Sequence, residues 1–199
     1  HPVNPQTRLI SQVVALIRNG AVVVYPTDSC YALGCHIGDK SAMERLRAIR
    51  NLDPKHHFTL LCRNLADIAS YATVENSMYR LLRANTPGPY TFILPATRQV
   101  PRRLQHPKRK TIGIRVPDNA IAQALLTELN EPMLTTSLIL PGDPFPATDP
   151  EEIGGRVQYS VDAVIDAGPG GLEETSVIDL ADGYPVVIRR GKGDTCHFE

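Results

Sequence analysis

The sequence predicts a mixed, mainly α/β sheet, and three observations carry that reading. Short apolar or β-branched runs alternate with longer segments whose apolar residues recur at helical spacing. Three further runs, Val161–Ile165, Ser176–Leu180 and Val186–Arg190, lie close together near the end, so strand–helix–strand units are not the whole sheet. No internal repeat, low-complexity stretch or interdomain linker breaks the 199 residues, a length that one core can serve. The expectation is a single domain over residues 1–199, a twisted mixed sheet with flanking helices.

The first helix is predicted over residues 5–19. Leu9, Val13, Leu16 and Ile17 form its apolar stripe, Pro5 suits a first turn and Asn19-Gly20 is a stop. Val22-Val23-Val24 follows, a continuous β-branched run of the kind found in strands buried on both faces. Pro26 removes a ladder donor and ends it. Asp39 to Arg50 is a second helix with Met43, Leu46 and Ile49 inward, and Pro54 keeps Asp53 out of helical space. Phe58 to Cys62 is an interior strand. Asn64 caps a short helix through Ala69, and Ser77 to Asn85 forms another.

Thr86-Pro-Gly-Pro89 is a rigid turn before the strand Tyr90–Leu94. In Thr111–Pro117, Ile112, Ile114 and Val116 alternate with Thr111, Gly113 and Arg115, which predicts a strand with two unlike faces. Asp118 is the expected N-cap of a helix Ala120–Leu129. Pro132–Ser137 is a strand ending in three hydroxyls. Asp149-Pro150-Glu151-Glu152 has helix-start chemistry, a cap, a proline and first-turn acids.

Composition bounds the function. Hydrophobic residues make up 42%, enough to fill one core, yet no window approaches a membrane span and the first residues lack a signal-peptide pattern. Cys30, Cys35, Cys62 and Cys196 fit neither a CxxC pair nor a disulfide framework, so reduced thiols in a cytoplasmic protein are expected. Cations and anions balance at 21 each, and only their distribution is informative. Arg98, Arg102, Arg103, Lys108, Arg109 and Lys110 stand together without an acid, whereas residues 143–182 carry only Arg156 as a cation. Such a loop suits the phosphate backbone of an RNA, with a solvated surface as the alternative.

Hydroxyls gather at three strand ends: Thr27/Ser29, Thr135/Thr136/Ser137 and Thr175/Ser176. Arg50, Lys55, Arg115, Arg189 and Arg190 sit near them. Strand ends are where open α/β sheets bind ligands, and guanidiniums fork onto carboxylates and phosphates. Two plainer outcomes stand beside this one. The Thr27 turn can satisfy its own backbone, and Arg115 can be met by a structural acid such as Asp118 rather than by a ligand. No phosphate loop, dinucleotide fingerprint, metalloprotease helix or nucleophile elbow is present, and the histidines lack zinc-ligand spacing. His56-His57 reads as a solvated or packed pair in a loop.

These stretches, taken together, resemble the YrdC/YciO family of threonylcarbamoyl-adenylate synthase-like proteins along nearly the whole chain. The matching motifs begin with Tyr25-Pro-Thr-Asp-Ser-Cys-Tyr-Ala-Leu-Gly-Cys35, Pro87-Gly-Pro-Tyr-Thr-Phe-Ile-Leu94 and Thr111-Ile-Gly-Ile-Arg-Val-Pro117. Pro132-Met-Leu-Thr-Thr-Ser137, Val161–Asp166, Thr175–Leu180 and Val186-Val-Ile-Arg-Arg-Gly191 follow in order. The resemblance implies a YrdC/RibB-like sheet with a basic concave face. It also implies ATP (with magnesium), L-threonine and bicarbonate as substrates, with no tightly bound cofactor or metal. The product is threonylcarbamoyl-AMP, used to modify tRNA.

By motif, the family would hold threonine at Thr27, Thr59, Arg115, Thr135 and Thr175. It would hold the nucleotide at Arg50, Thr111, Ser137 and Arg189. Arg102, Arg103, Lys108, Arg109 and Lys110 are the expected contacts to tRNA or double-stranded RNA. Two positions depart from the synthases: Leu52 stands where they carry an arginine, and Ile139 where they carry an asparagine. That pattern resembles the YciO branch.

Overall fold

The computed structural model describes residues 1–199. The elements in chain order are α1 (Thr7–Arg18), β1 (Val23–Tyr25), β2 (Ala32–His36), α2 (Lys40–Arg50), β3 (Thr59–Leu61), α3 (Leu65–Tyr71), α4 (Asn76–Asn85) and β4 (Tyr90–Pro95). They continue with β5 (Thr111–Arg115), α5 (Ala120–Leu129), β6 (Met133–Ser137), α6 (Pro150–Val157), β7 (Ala163–Val164), β8 (Ser176–Asp179) and β9 (Val186–Arg189). The strands form one sheet in the order β7-β1-β2-β6-β3-β5-β4-β8-β9. Three pairings are parallel (β1/β7, β3/β5 and β4/β8) and the other five antiparallel, so the sheet is mixed.

Strand alternation sends side chains to two unlike layers. Leu33, Leu60, Phe92, Ile114, Leu134 and Ile178 meet Met43 and Leu46 of α2, Ile68 of α3, Leu82 of α4 and Ile153 of α6 in the larger core. On the opposite face Val23, Tyr25, Leu61 and Met133 pack under Ile10, Val14 and Ile17 of α1 and Leu125 and Leu126 of α5. Arg18 ties these two helices together by donating to the carbonyls of Glu128 and Leu129 at 2.9 and 3.3 Å. Only α1 and α5 cover this second face. The remainder, around β3, β5, β4 and β8, is where polar residues lie.

Several local expectations need correction. Leu9 and Leu16 point to solvent, and α1 buries Ile10 and Val14 alongside the expected Ile17, with Val13 packed at the edge. The helix is apolar on more than one stripe, and α5 selects which stripe docks. Gln6 is its N-cap, so Pro5 precedes the helix. The cap of α5 is Asn119, whose Oδ1 accepts from Ile121 and Ala122, each at 3.0 Å, and not Asp118. The Val161–Ile165 run contributes only two residues of strand at the sheet edge.

β2 escapes sequence reasoning altogether because Ala32-Leu-Gly-Cys-His carries no β-branched residue. Its register between β1 and β6 makes it a strand, and Gly34 permits the fit. A Cβ there would come within 2.6 Å of Met133 Cε and 2.7 Å of Tyr25 Cε1. No helix is long and apolar enough to cross a membrane.

Because α5 is half of the cover over the second face, Leu125→Ala is expected to cost about 2–5 kcal/mol, the usual range for emptying a fully buried leucine site. Urea denaturation should show a lower midpoint with an unchanged slope.

Candidate functional site

The uncovered part of the second face is a cavity of about 250 Å³. Its floor follows from the alternation in β5. Ile112 and Ile114 enter the core, while Thr111, Gly113 and Arg115 face the cavity. Thr59 comes from β3, Thr135 and Ser137 from β6, and Thr175 from the residue before β8. Arg50 reaches in from the end of α2 and Arg189 from the end of β9. Eight expected ligand-binding positions, drawn from segments far apart in sequence, therefore share one hollow. A side chain at Gly113 would crowd Thr59 Oγ1 and Thr91 Cγ2, each 3.2 Å from its Cβ position, so glycine keeps the floor low.

Thr27 is the exception. Its hydroxyl donates to the carbonyl of Cys30 at 2.6 Å and accepts the N–H groups of Ser29 and Cys30 at 3.1 and 3.2 Å. It closes its own turn, lining a second hollow with Pro26, Asp28, Asn119 and Lys192. The plainer outcome also holds for the charge of Arg115. This residue is only 6% exposed, and its counterion is Asp28, not Asp118. Asp28 lines the second hollow and Arg115 the first, so the ion pair stands between them. Asp28 Oδ2 and Arg115 Nε are buried without a partner, so the pair is joined at one point and is not bidentate.

The other arginines are partly held by the chain. Arg50 donates through Nε to the Ile139 carbonyl at 3.1 Å and through Nη1 to Thr136 Oγ1 at 2.6 Å. Arg189 donates to the Thr175 carbonyl from Nε and Nη2 at 3.1 and 2.9 Å and pairs with Glu174 at 3.2 Å. Thr175 in turn shares a 2.8 Å hydrogen bond with Thr91. Tyr25 donates to Thr135, whose hydroxyl passes its own proton toward the Leu33 carbonyl at 3.2 Å. Burial raises the Tyr25 phenol well above its ordinary range, so it remains a neutral donor.

The basic loop is also rearranged relative to expectation. Arg109 is not a free surface cation. It lines the cavity and pairs with Asp179 at 2.6 Å and Asp182 at 3.3 Å, acids far along the chain. Arg103 donates to the Ile37 carbonyl at 3.2 Å and Lys110 to Pro107 at 2.7 Å. Arg102 opens a short 3-10 turn and, like Lys108, is exposed.

Sequence reasoning misses Thr91, Glu174 and His106 on the cavity wall, and gives Thr136, His56 and His57 no ligand role there. Thr136 lies in a hydroxyl run that the sequence does mark; nothing local marks the others as neighbours of a ligand. Cys30, Cys35 and Cys62 are buried free thiols whose burial raises their pKa, that of Cys35 to about 12, which leaves them protonated and inert. No group of three or more His, Cys, Asp or Glu is placed to hold a metal.

The family model Sua5_yciO_yrdC, described as Telomere recombination, matches residues 15–191. The chain belongs to the YrdC/YciO family. Within it the chain falls in the YciO branch. It is 58% identical over 198 residues to YciO of Escherichia coli K12, covering all of this chain and 96% of that protein. The crystal structure of E. coli YciO superposes with a TM-score of 0.96 at 57% identity, over 100% of this chain and 97% of that one.

The family also relates the chain to threonylcarbamoyl-AMP synthases. One from Vibrio vulnificus YJ016 is 32% identical over 136 residues, or 67% of this chain and 73% of the synthase. The fold of P. abyssi Sua5, solved in complex with L-threonine, matches with a TM-score of 0.86 at 24% identity, over 94% of this chain and 55% of that one. The two positions set apart by the family resemblance have structural roles. Leu52 packs against the large core, and Ile139 offers only its carbonyl, which holds Arg50.

A buried arginine without its acid is strongly unfavourable. Asp28→Ala is expected to destabilise the protein by about 3–5 kcal/mol, and Asp28→Ala combined with Arg115→Met to recover most of it. Chemical denaturation of the single and double variants measures both.

Proposed function

We propose that the cavity binds an anionic, nucleotide-bearing ligand, and that any synthesis of threonylcarbamoyl-AMP from ATP, L-threonine and bicarbonate is weak or altered. One observation carries the reading: the cavity is lined by Arg50, Arg109, Arg115 and Arg189 with Glu174 as its only acid. Guanidiniums of this kind suit phosphates and a carboxylate, and the hydroxyls of Thr59, Thr111 and Ser137 suit orientation of the ligand around them. Arg115 and Thr135 would face the amino acid, Arg50 and Arg189 the nucleotide. Such chemistry needs positioning and charge stabilisation rather than a nucleophile, in keeping with the absence of any nucleophile constellation.

The altered activity follows from Leu52 and Ile139. Each replaces a polar group with an apolar side chain, and a missing bond to a charged group costs about 1.5–3 kcal/mol. Two such deficits amount to roughly 100-fold or more in nucleotide affinity. Supplied with ATP, L-threonine and bicarbonate, the protein is expected to form threonylcarbamoyl-AMP at least about 100-fold more slowly than the V. vulnificus synthase assayed alongside. The double variant Leu52→Arg/Ile139→Asn should narrow that gap. Equal turnover by the unaltered protein would overturn the reading, as would a lack of nucleotide binding in calorimetry.

The exposed cations Arg102 and Lys108, on the loop that bounds the cavity, support a second reading in which the anion belongs to a tRNA or double-stranded RNA. Reversing both charges is expected to weaken tRNA binding and to flatten the slope of log affinity against log salt by about 0.7–0.9 for each phosphate no longer neutralised. An unchanged slope removes the loop from RNA recognition.

A further inference from the structure

Three histidines on the cavity wall have no task in nucleotide binding as proposed so far. His56 and His57 lie in the loop between α2 and β3, and His106 in the basic loop. The rings of His57 and His106 stack with centroids 4.9 Å apart and 30° between their planes, while His56 meets Phe58 edge-on at 5.6 Å. Their hydrogen bonds separate their roles. Nδ1 of His106 accepts the backbone N–H groups of Lys108 and Arg109 at 3.2 and 3.1 Å, so its proton rides on Nε2, which is left as a donor. His56 and His57 also line the cavity, and neither ring makes a hydrogen bond within the protein.

The charged groups around the three rings are mostly positive. Arg47 and Arg50 approach from α2, Arg109 from the basic loop and Arg189 from β9. Against them stand Glu174, which pairs with Arg189, Glu44, which pairs with Arg47, and Asp179 and Asp182, which Arg109 occupies. Burial, then Arg50 and Arg47, hold His56 below its ordinary pKa; burial, then His106 and Arg47, do the same for His57. Both imidazoles are thus harder to protonate than a solvated histidine.

We propose that His56 and His57, together with the Nε2–H of His106, form a phosphate subsite that takes up protons when the anion seats. The inference rests on the nucleotide reading and assigns the phosphate end of that ligand to this wall. A phosphate group supplies the negative charge that the arginine-rich cavity lacks, and so favours the imidazolium form of both rings. Protonation and anion binding are then linked. Affinity rises as pH falls through the interval between the raised pKa values of the occupied site and the lowered values of the free protein.

The test follows the imidazole Cε1–H resonances by NMR, with His56→Gln and His57→Gln to assign them, with and without saturating inorganic pyrophosphate. Each pKa is expected to rise by about one unit or more in the occupied protein, which equals a tenfold gain in affinity per proton. His56→Gln should then weaken pyrophosphate binding by about three- to sixfold at pH 6 and by less than about twofold at pH 8. Spectra of the variants also report that they remain folded. Pyrophosphate binding that leaves both pKa values unchanged overturns the subsite but spares the nucleotide reading. Absence of pyrophosphate binding at any pH between about 6 and 8 overturns both.

Discussion

The ion pair between Asp28 and Arg115 is the contact on which the site depends. Arg115 projects from β5 into a position nearly closed to solvent, where an unpaired guanidinium would not be tolerated. Asp28 can meet it only because the turn after β1 is held firmly. Thr27 closes that turn with three hydrogen bonds, and Lys192 reaches across from the segment after β9 to the Asp28 carbonyl. Two ends of the chain are thereby fixed to the middle of the sheet. The pair is incomplete, with one buried polar atom unpartnered on each side. An arginine held at a single point keeps donors for an incoming carboxylate, whereas a bidentate pair would have spent them.

A second constraint is the unequal cover of the sheet. The larger core places four helices on one face, and only α1 and α5 lie on the other. Where cover ends, alternation no longer needs apolar side chains, and the inward positions become Thr59, Thr91, Thr111, Arg115 and Thr175. The cavity is therefore a consequence of strand register and helix placement. No loop has to be shaped to create its floor, which is why the lining comes from so many separate segments.

How far the sequence reveals this depends on the range of the cause. The two faces of β5 are legible because alternation is local: Ile112 and Ile114 against Thr111, Gly113 and Arg115. Asn64 and Asp149 are legible as caps for the same reason. β2 is not, since its strand character comes from β1 and β6 on either side. The stripe of α1 is only half placed by periodicity: Ile17 and Val13 pack inward, but Leu9 and Leu16 give way to Ile10 and Val14 under α5. Arg109 looks free in the sequence because its acids, Asp179 and Asp182, lie so far along the chain. His56 and His57 look idle because nothing nearby in sequence shows that their loop borders the hydroxyls of β3 and β5. The site residues are legible chiefly through ordered motifs, and Thr27 shows the limit of that route. Thr27 belongs to an ordered motif, yet its hydroxyl closes its own turn beside a second hollow.

The apolar residues at 52 and 139 bear on more than their own contacts. With Leu52 packed against the core and only the Ile139 carbonyl available to it, Arg50 takes its partners from the chain itself, Ile139 and Thr136. A guanidinium already satisfied by protein gains less from a phosphate than one that is pre-positioned and unpaired, because the internal bonds must be exchanged rather than added. Around Arg50 the cavity is thus self-satisfied, while around Arg115 it is left under-bonded. On the nucleotide reading, a cavity biased in that way would anchor a ligand's carboxylate first, and the groups on this wall able to change charge on binding would be the histidines.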